Sequence, residues 1–99
     1  MGRAQPVDLG LKTFRSESAA REFFKEMLNR YSPGDTVFID DDLLLRELIK
    51  RHPEAEAKIG EGIDHFEVMS HSFNSQCFAV HRTDGSFEDF SYTWCVSAG

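Results

Sequence analysis

Gln76-Cys77-Phe78-Ala79-Val80-His81-Arg82, Thr83-Asp84-Gly85-Ser86 and Phe87-Glu88-Asp89-Phe90-Ser91-Tyr92 follow one another, and the middle group decides how the chain folds. Asp-Gly supplies the positive backbone torsions of a tight hairpin turn, and the flanking groups carry the aromatic and β-branched residues that suit a pleated, half-buried surface. An antiparallel hairpin over 76–92 is the reading, with its register open. A two-residue turn at Asp84-Gly85 sets His81 opposite Glu88 and Arg82 opposite Phe87. A three-residue loop with Gly85 left-handed sets Val80 opposite Glu88 and Phe78 opposite Phe90. The slip of one residue exchanges the faces. In both, Phe78, Val80, Phe90 and Tyr92 lie towards the open end and reach the core, while Arg82 and Asp84 sit near the tip.

Upstream, Asp64 to His71 reads as a strand through Phe66 and Val68, and Ser72-Phe73-Asn74-Ser75 turns it into the hairpin. Ile59-Gly60-Glu61-Gly62-Ile63 is a bend that turns both isoleucines inward, preceded by a polar helical turn over Glu54 to Lys58. Leu43, Leu44, Leu45, Leu48 and Ile49 form the apolar side of a helix that stops near His52 because Pro53 follows. Asp40, Asp41 and Asp42 stand at its start, one as a cap and the others favoured by the helix dipole. Thr36 to Ile39 is a short strand or merely extended.

Ala20, Phe23, Phe24, Met27, Leu28 and Tyr31 recur at spacings of three and four, the stripe of an amphipathic helix capped by Ser16 or Ser18. Ser32-Pro33-Gly34-Asp35 ends it in a type II turn. Leu11 to Phe14 suits a short edge strand, and Ser91 caps a last turn through Trp94, Cys95 and Val96. Residues 1–10, with Gly2, Pro6 and Gly10 and no periodicity, read as a flexible leader, and residues 11–99 as a single domain. The expected fold class is α+β: two main helices packed on one face of a small antiparallel sheet centred on the C-terminal β-hairpin.

Ninety-nine residues, 40% of them hydrophobic and nine of them Phe, support a thin core dominated by aromatic packing. No apolar run is long enough to span a bilayer, and the N-terminal residues lack the apolar segment of a signal peptide, so the expectation is a cytoplasmic protein. Cys77 and Cys95 lie 18 residues apart without a Cys-x-x-Cys partner and read as reduced, buried thiols, with a disulfide between them as the lesser alternative. The net charge of −6 excludes a surface that is basic throughout. The charge is uneven: residues 1–31 balance at +2 and residues 32–99 at −8.

His52, His65, His71 and His81 lack the close two-ligand spacing of a structural zinc site, and no nucleophile triad or phosphate loop is present. No metal, cofactor or catalytic residue is therefore assigned. The basic residues left over from helix surfaces are Lys12, Arg15, Lys58 and Arg82. Lys58 stands beside the Gly60 and Gly62 bend and Arg82 beside the hairpin tip, each near backbone donors, as in a small anion-binding or RNA-backbone patch. Phe66, Phe73 or Trp94 adds a stacking face for an unpaired base.

His52-Pro53, Lys58-Ile59-Gly60, Gly62-Ile63, Phe66, Val68, Cys77-Phe78, Val80, Arg82, Asp84-Gly85-Ser86, Asp89-Phe90-Ser91-Tyr92 and Cys95 together resemble the defective-chloroplasts-and-leaves (DCL) domain, a domain of unknown function. The resemblance runs from Lys12 to Val96 and fits a stand-alone member of bacterial type. Plant relatives are implicated in maturation of plastid ribosomal RNA, and a similar domain ends the largest subunit of a plant-specific RNA polymerase. The resemblance carries over no catalytic residue.

Three functions follow as expectations. The first is a non-catalytic, RNA-associated binding module for ribosomal RNA processing or transcription, touching RNA through Lys12, Arg15, Lys58, Gly60, Gly62 and Arg82, with RNA or a ribonucleoprotein or polymerase component as partner. The second is a protein-interaction module whose acidic surface docks a basic partner. The third is a metal-dependent hydrolase built on Asp40, Asp41 or the histidines.

Overall fold

The hairpin closes in the three-residue form. In the computed structural model, which describes residues 6–97, Arg82 N donates to Ser86 O at 2.8 Å and Gly85 N to Arg82 O at 3.0 Å. Gly85 has φ of +89°, where a side chain would be strained. Strands β4 (Ser75–Arg82) and β5 (Phe87–Phe90) therefore pair Phe78 with Phe90 and Val80 with Glu88. Strand β3 (Ile63–His71) joins the other side of β4, with Phe66 opposite Val80 and Val68 opposite Phe78. Positive φ at Phe73 and Asn74 makes the β3–β4 turn and leaves the Phe73 ring in solvent. The order is β3-β4-β5, antiparallel throughout.

This register sorts the sheet. Phe66, Val68, Phe78, Val80 and Phe90 lie on one face and are buried, while His65, His81 and Phe87 fall on the other. The buried face meets two main helices, α1 (Glu17–Asn29) and α2 (Ile39–Ile49). Helix α1 contributes Ala20, Phe24, Met27 and Leu28, and α2 contributes Leu45, Leu48 and Ile49. A short α3 (Ala55–Ile59) precedes β3, and α4 (Tyr92–Ser97) returns Cys95 and Val96 to the core. The α+β architecture is the expected one.

Local chemistry sets the ends of α1. Ser16 accepts from Ala19 N at 3.1 Å and caps the helix. Past its C-terminus, Asp35 N donates to Ser32 O with Gly34 at φ of +99°, the type II turn. The next residues stay extended against β3, where Val37 N donates to Phe66 O at 3.0 Å.

Two expectations need correction. None of the three consecutive aspartates caps α2, since its N-cap is Phe38, without a side-chain cap bond, and all three lie in the first turn. Asp41 accepts from the Tyr31 hydroxyl at 2.6 Å and from Arg30 Nη2 at 3.1 Å, and the buried Asp42 accepts from Arg46. Val7 to Leu9 do not belong to the flexible leader expected over 1–10. Residues 1–5 lie outside the described residues, but strand β1 (Val7–Asp8) pairs with β2 (Thr13–Phe14), and Val7 and Leu9 are buried in the core. Gly10, at φ of +84°, turns the chain between the two strands, and its amide donates to Asp8 Oδ1. Among the described residues no helix is long and apolar enough to cross a membrane.

Candidate functional site

The motif that runs from Lys58 through the two glycines to the hairpin tip converges on one carboxylate. Glu88 points from β5 to the helix side of the sheet, beyond the last core residue, because it pairs with Val80 in the observed register. Lys58, at the end of α3, donates from Nζ to Glu88 Oε2 at 2.8 Å and to Asp89 O at 3.1 Å. Arg82 donates from Nη1 to Glu88 Oε1 at 3.3 Å and to Lys58 O at 2.8 Å, and from Nε to Ser86 Oγ at 2.8 Å. The two cationic side chains are only 12% and 13% exposed. The Lys58 hydrogen bond, opposed by partial burial, holds the Glu88 carboxyl below its usual range.

The glycines serve this cluster. Gly60 takes φ of +54°, and a Cβ there would stand 2.8 Å from Arg82 Cδ. Its amide donates to Glu56 O and the Gly62 amide to Ile59 O, so neither is free for an anion. Gly62 O accepts from Thr83 N at 2.9 Å, which ties the bend to the hairpin tip. The structure thus unites Lys58, Gly60, Gly62 and Arg82, but as an internal ionic latch. Lys12 and Arg15 are exposed and bond to no member of it. Lys12 Nζ lies 5.3 and 5.2 Å from the ring centroids of Phe14 and Phe23.

Of the rings expected to stack, Phe66 is wholly buried, whereas Phe73 and Trp94 are exposed. On the open face of the sheet, the rings of His65, His81 and Phe87 stack in a row across the three strands, at centroid distances of 4.4 and 5.0 Å. His81 Nε2 lies 2.6 Å from Glu67 Oε1, and His65 Nδ1 lies 2.6 Å from Asp64 Oδ2. Sequence reasoning missed this row, because only the three-residue loop puts His81 opposite Phe87.

A groove of about 400 Å³ opens where β4 extends past β5, and Trp94 of α4 stands at its rim. Phe78, Phe90 and Tyr92 supply rings, and Asp89 and His52 supply polar groups. A recess of about 280 Å³ adjoins it, sharing His52 and Trp94 and adding Pro53 and Glu54. His52 Nδ1 accepts from Glu54 N at 2.9 Å, so the neutral ring carries its proton on Nε2. Burial, and then the charge of Lys58, lower the pKa of His52. Both cysteines are free thiols, Cys95 buried as expected but Cys77 only half-buried, at the groove. Among the described residues no three His, Cys, Asp or Glu side chains gather where they could hold a metal. Asp41 is instead turned to Tyr31 and Arg30.

Comparison with known proteins places these features in a wider group. Residues 25–96 match the family described as "Protein of unknown function (DUF3223)". The chain is 33% identical over 98 residues to DNA-directed RNA polymerase IV subunit 1 of Arabidopsis thaliana, covering 96% of this chain and 7% of that protein. It is 39% identical over 70 residues to Protein DCL, chloroplastic, of Solanum lycopersicum, covering 68% of this chain and 31% of that one. The solution NMR structure of an uncharacterized protein from Rhodospirillum rubrum superposes with a TM-score of 0.87 at 48% identity, over 96% of this chain and 91% of that one. The chain spans about half, or less, of the length of the curated relatives it matches.

Proposed function

This chain belongs to the DUF3223 family, with DCL among its relatives, and on that premise we propose that it is a non-catalytic docking module of RNA-synthesising or RNA-processing machinery, holding a basic protein partner. The RNA context rests on the relatives, one of which is a subunit of a DNA-directed RNA polymerase. The docking mode rests on one observation: Lys58 and Arg82, the cations best placed to grip phosphate, are both spent on Glu88. A salt-bridged, nearly enclosed cation offers a phosphate little. The net charge of −6 favours a partner of opposite sign, and electrostatic attraction would speed the encounter.

Direct RNA contact is a second reading, favoured by the exposure of Lys12 and Arg15 and of the Phe73 and Trp94 rings. Fluorescence anisotropy with labelled single-stranded RNA and with labelled arginine- or lysine-rich peptides separates the two. The docking reading expects saturable peptide binding that weakens with salt, and no RNA binding at low salt. RNA binding that is lost on replacing Lys58, Arg82, Lys12 or Arg15, in variants that remain folded, would reverse the order.

A further inference from the structure

Trp94 is the chain's only tryptophan, and it is 63% exposed. It stands between the two cavities as a wall common to both. Tyr92, His71 and Asp89 line the larger one beside the buried Phe78 and Phe90. Among the described residues the Asp89 carboxylate accepts no hydrogen bond; His71 Nε2, on a ring lining the same groove, lies 3.9 Å from Asp89 Oδ2. Glu54, lining the second cavity, has an exposed side chain that makes no ion pair among the described residues. Lys58 also lines the groove, but its ammonium is held by Glu88 and by Asp89 O.

We propose that this groove receives the guanidinium of an arginine side chain from an extended basic segment, with the head stacked on Trp94 and bonded to Asp89. The inference rests on the docking reading and gives it a site. An arginine matches the lining part by part. Its apolar stem lies along Tyr92, its planar head stacks on an indole, and its paired N–H groups fork onto a carboxylate. Lysine shares the charge but neither the plane nor the fork. The next basic residue of such a segment meets Glu54 across the Trp94 wall. His52 presents Nε2–H as a neutral ring, which puts no opposing charge in the path. A nucleobase would fit the same volume, but it would carry phosphates to a lining whose uncommitted charges are carboxylates.

Trp94 reports its own occupancy. The intrinsic fluorescence of the protein is titrated with short blocked peptides of alternating arginine and glycine, of lysine and glycine and of glutamine and glycine, and with single-stranded RNA. The expected result is a saturable change with the arginine peptide, weaker binding of the lysine peptide and none of the glutamine peptide. Asp89→Asn should weaken arginine binding by about tenfold, as loss of one charge-assisted pair does. Trp94→Leu, followed by anisotropy of a labelled peptide, should weaken arginine more than lysine. Both positions are exposed, and circular dichroism checks that each variant is folded. If the arginine peptide binds with equal strength to wild type and both variants, the groove assignment falls and the docking reading stands. If no basic peptide binds at all, the docking reading itself fails. A change at Trp94 with RNA alone would make the groove a base-binding site and overturn the assignment.

Discussion

Arg82 crosses directly over Gly60: the position a Cβ would take on that glycine is 2.8 Å from Arg82 Cδ and 3.4 Å from its Nε. The close approach lets the guanidinium reach the carbonyl of Lys58 at the end of α3 and lock a five-residue helix to a hairpin tip far along the chain. A glycine pattern that resembles a phosphate cradle is here the seat of an arginine.

Gly60→Ala should therefore be among the most damaging single substitutions. It combines a positive φ with a contact that only movement of Arg82 relieves, and the expected loss is about 2–3 kcal/mol. Gly85→Ala, also at positive φ but with nothing within 4 Å, should cost only about 1 kcal/mol. Urea unfolding of the two variants measures the difference.

Glu88→Gln should leave Lys58 and Arg82 facing a neutral group in an enclosed setting. Breaking a buried pair costs about 3–5 kcal/mol, but the Glu88 side chain is 42% exposed and solvent screening reduces that. A loss of about 1–3 kcal/mol is expected in chemical denaturation at neutral pH.

The same carboxylate gives acid sensitivity. Its folded pKa lies below the ordinary value of 4.5, so its contribution is complete above 4.5 and disappears as pH falls through the lower folded value. His52, whose folded pKa lies below 6.5, adds a loss that begins earlier, as pH falls through 6.5, because the unfolded chain takes up that proton first. Stability measured against pH should fall in two stages, with Glu88→Gln removing part of the lower one and His52→Gln the upper one.

Much of the fold was legible because the relevant signals were local. The stripe from Ala20 to Tyr31 fixed α1, and the Pro-Gly turn fixed its end. The hairpin register was not legible: Asp84-Gly85 is compatible with two loop lengths, and the choice is made by packing Phe78 and Phe90 against the helices. That single choice also decides which way Glu88 points. The latch was hidden for the same reason, since Lys58 and Glu88 are 30 residues apart. Val7 and Leu9 escaped notice because a two-residue strand and the residue after it have no periodicity to read.

The two thiols should differ in reactivity. Burial pushes the Cys95 thiol up to about 12 and also raises that of the half-buried Cys77. Because the thiolate is the reactive form, a maleimide at mildly alkaline pH should label Cys77 slowly and Cys95 only when the chain unfolds. Mass spectrometry of the labelled protein, with and without urea, reads both sites.

The central claim is that the motif cations are structural and the receptive surface is acidic and aromatic. Amide and indole NMR spectra of the isotope-labelled protein, titrated in parallel with an arginine-rich peptide and with single-stranded RNA, test it most directly. The account predicts peptide-induced shifts at the Trp94 indole and at Asp89 and His52, with the Lys58, Gly60, Gly62 and Arg82 signals unmoved by RNA. Shifts at those four residues on adding RNA, with the Trp94 indole silent to the peptide, would contradict it.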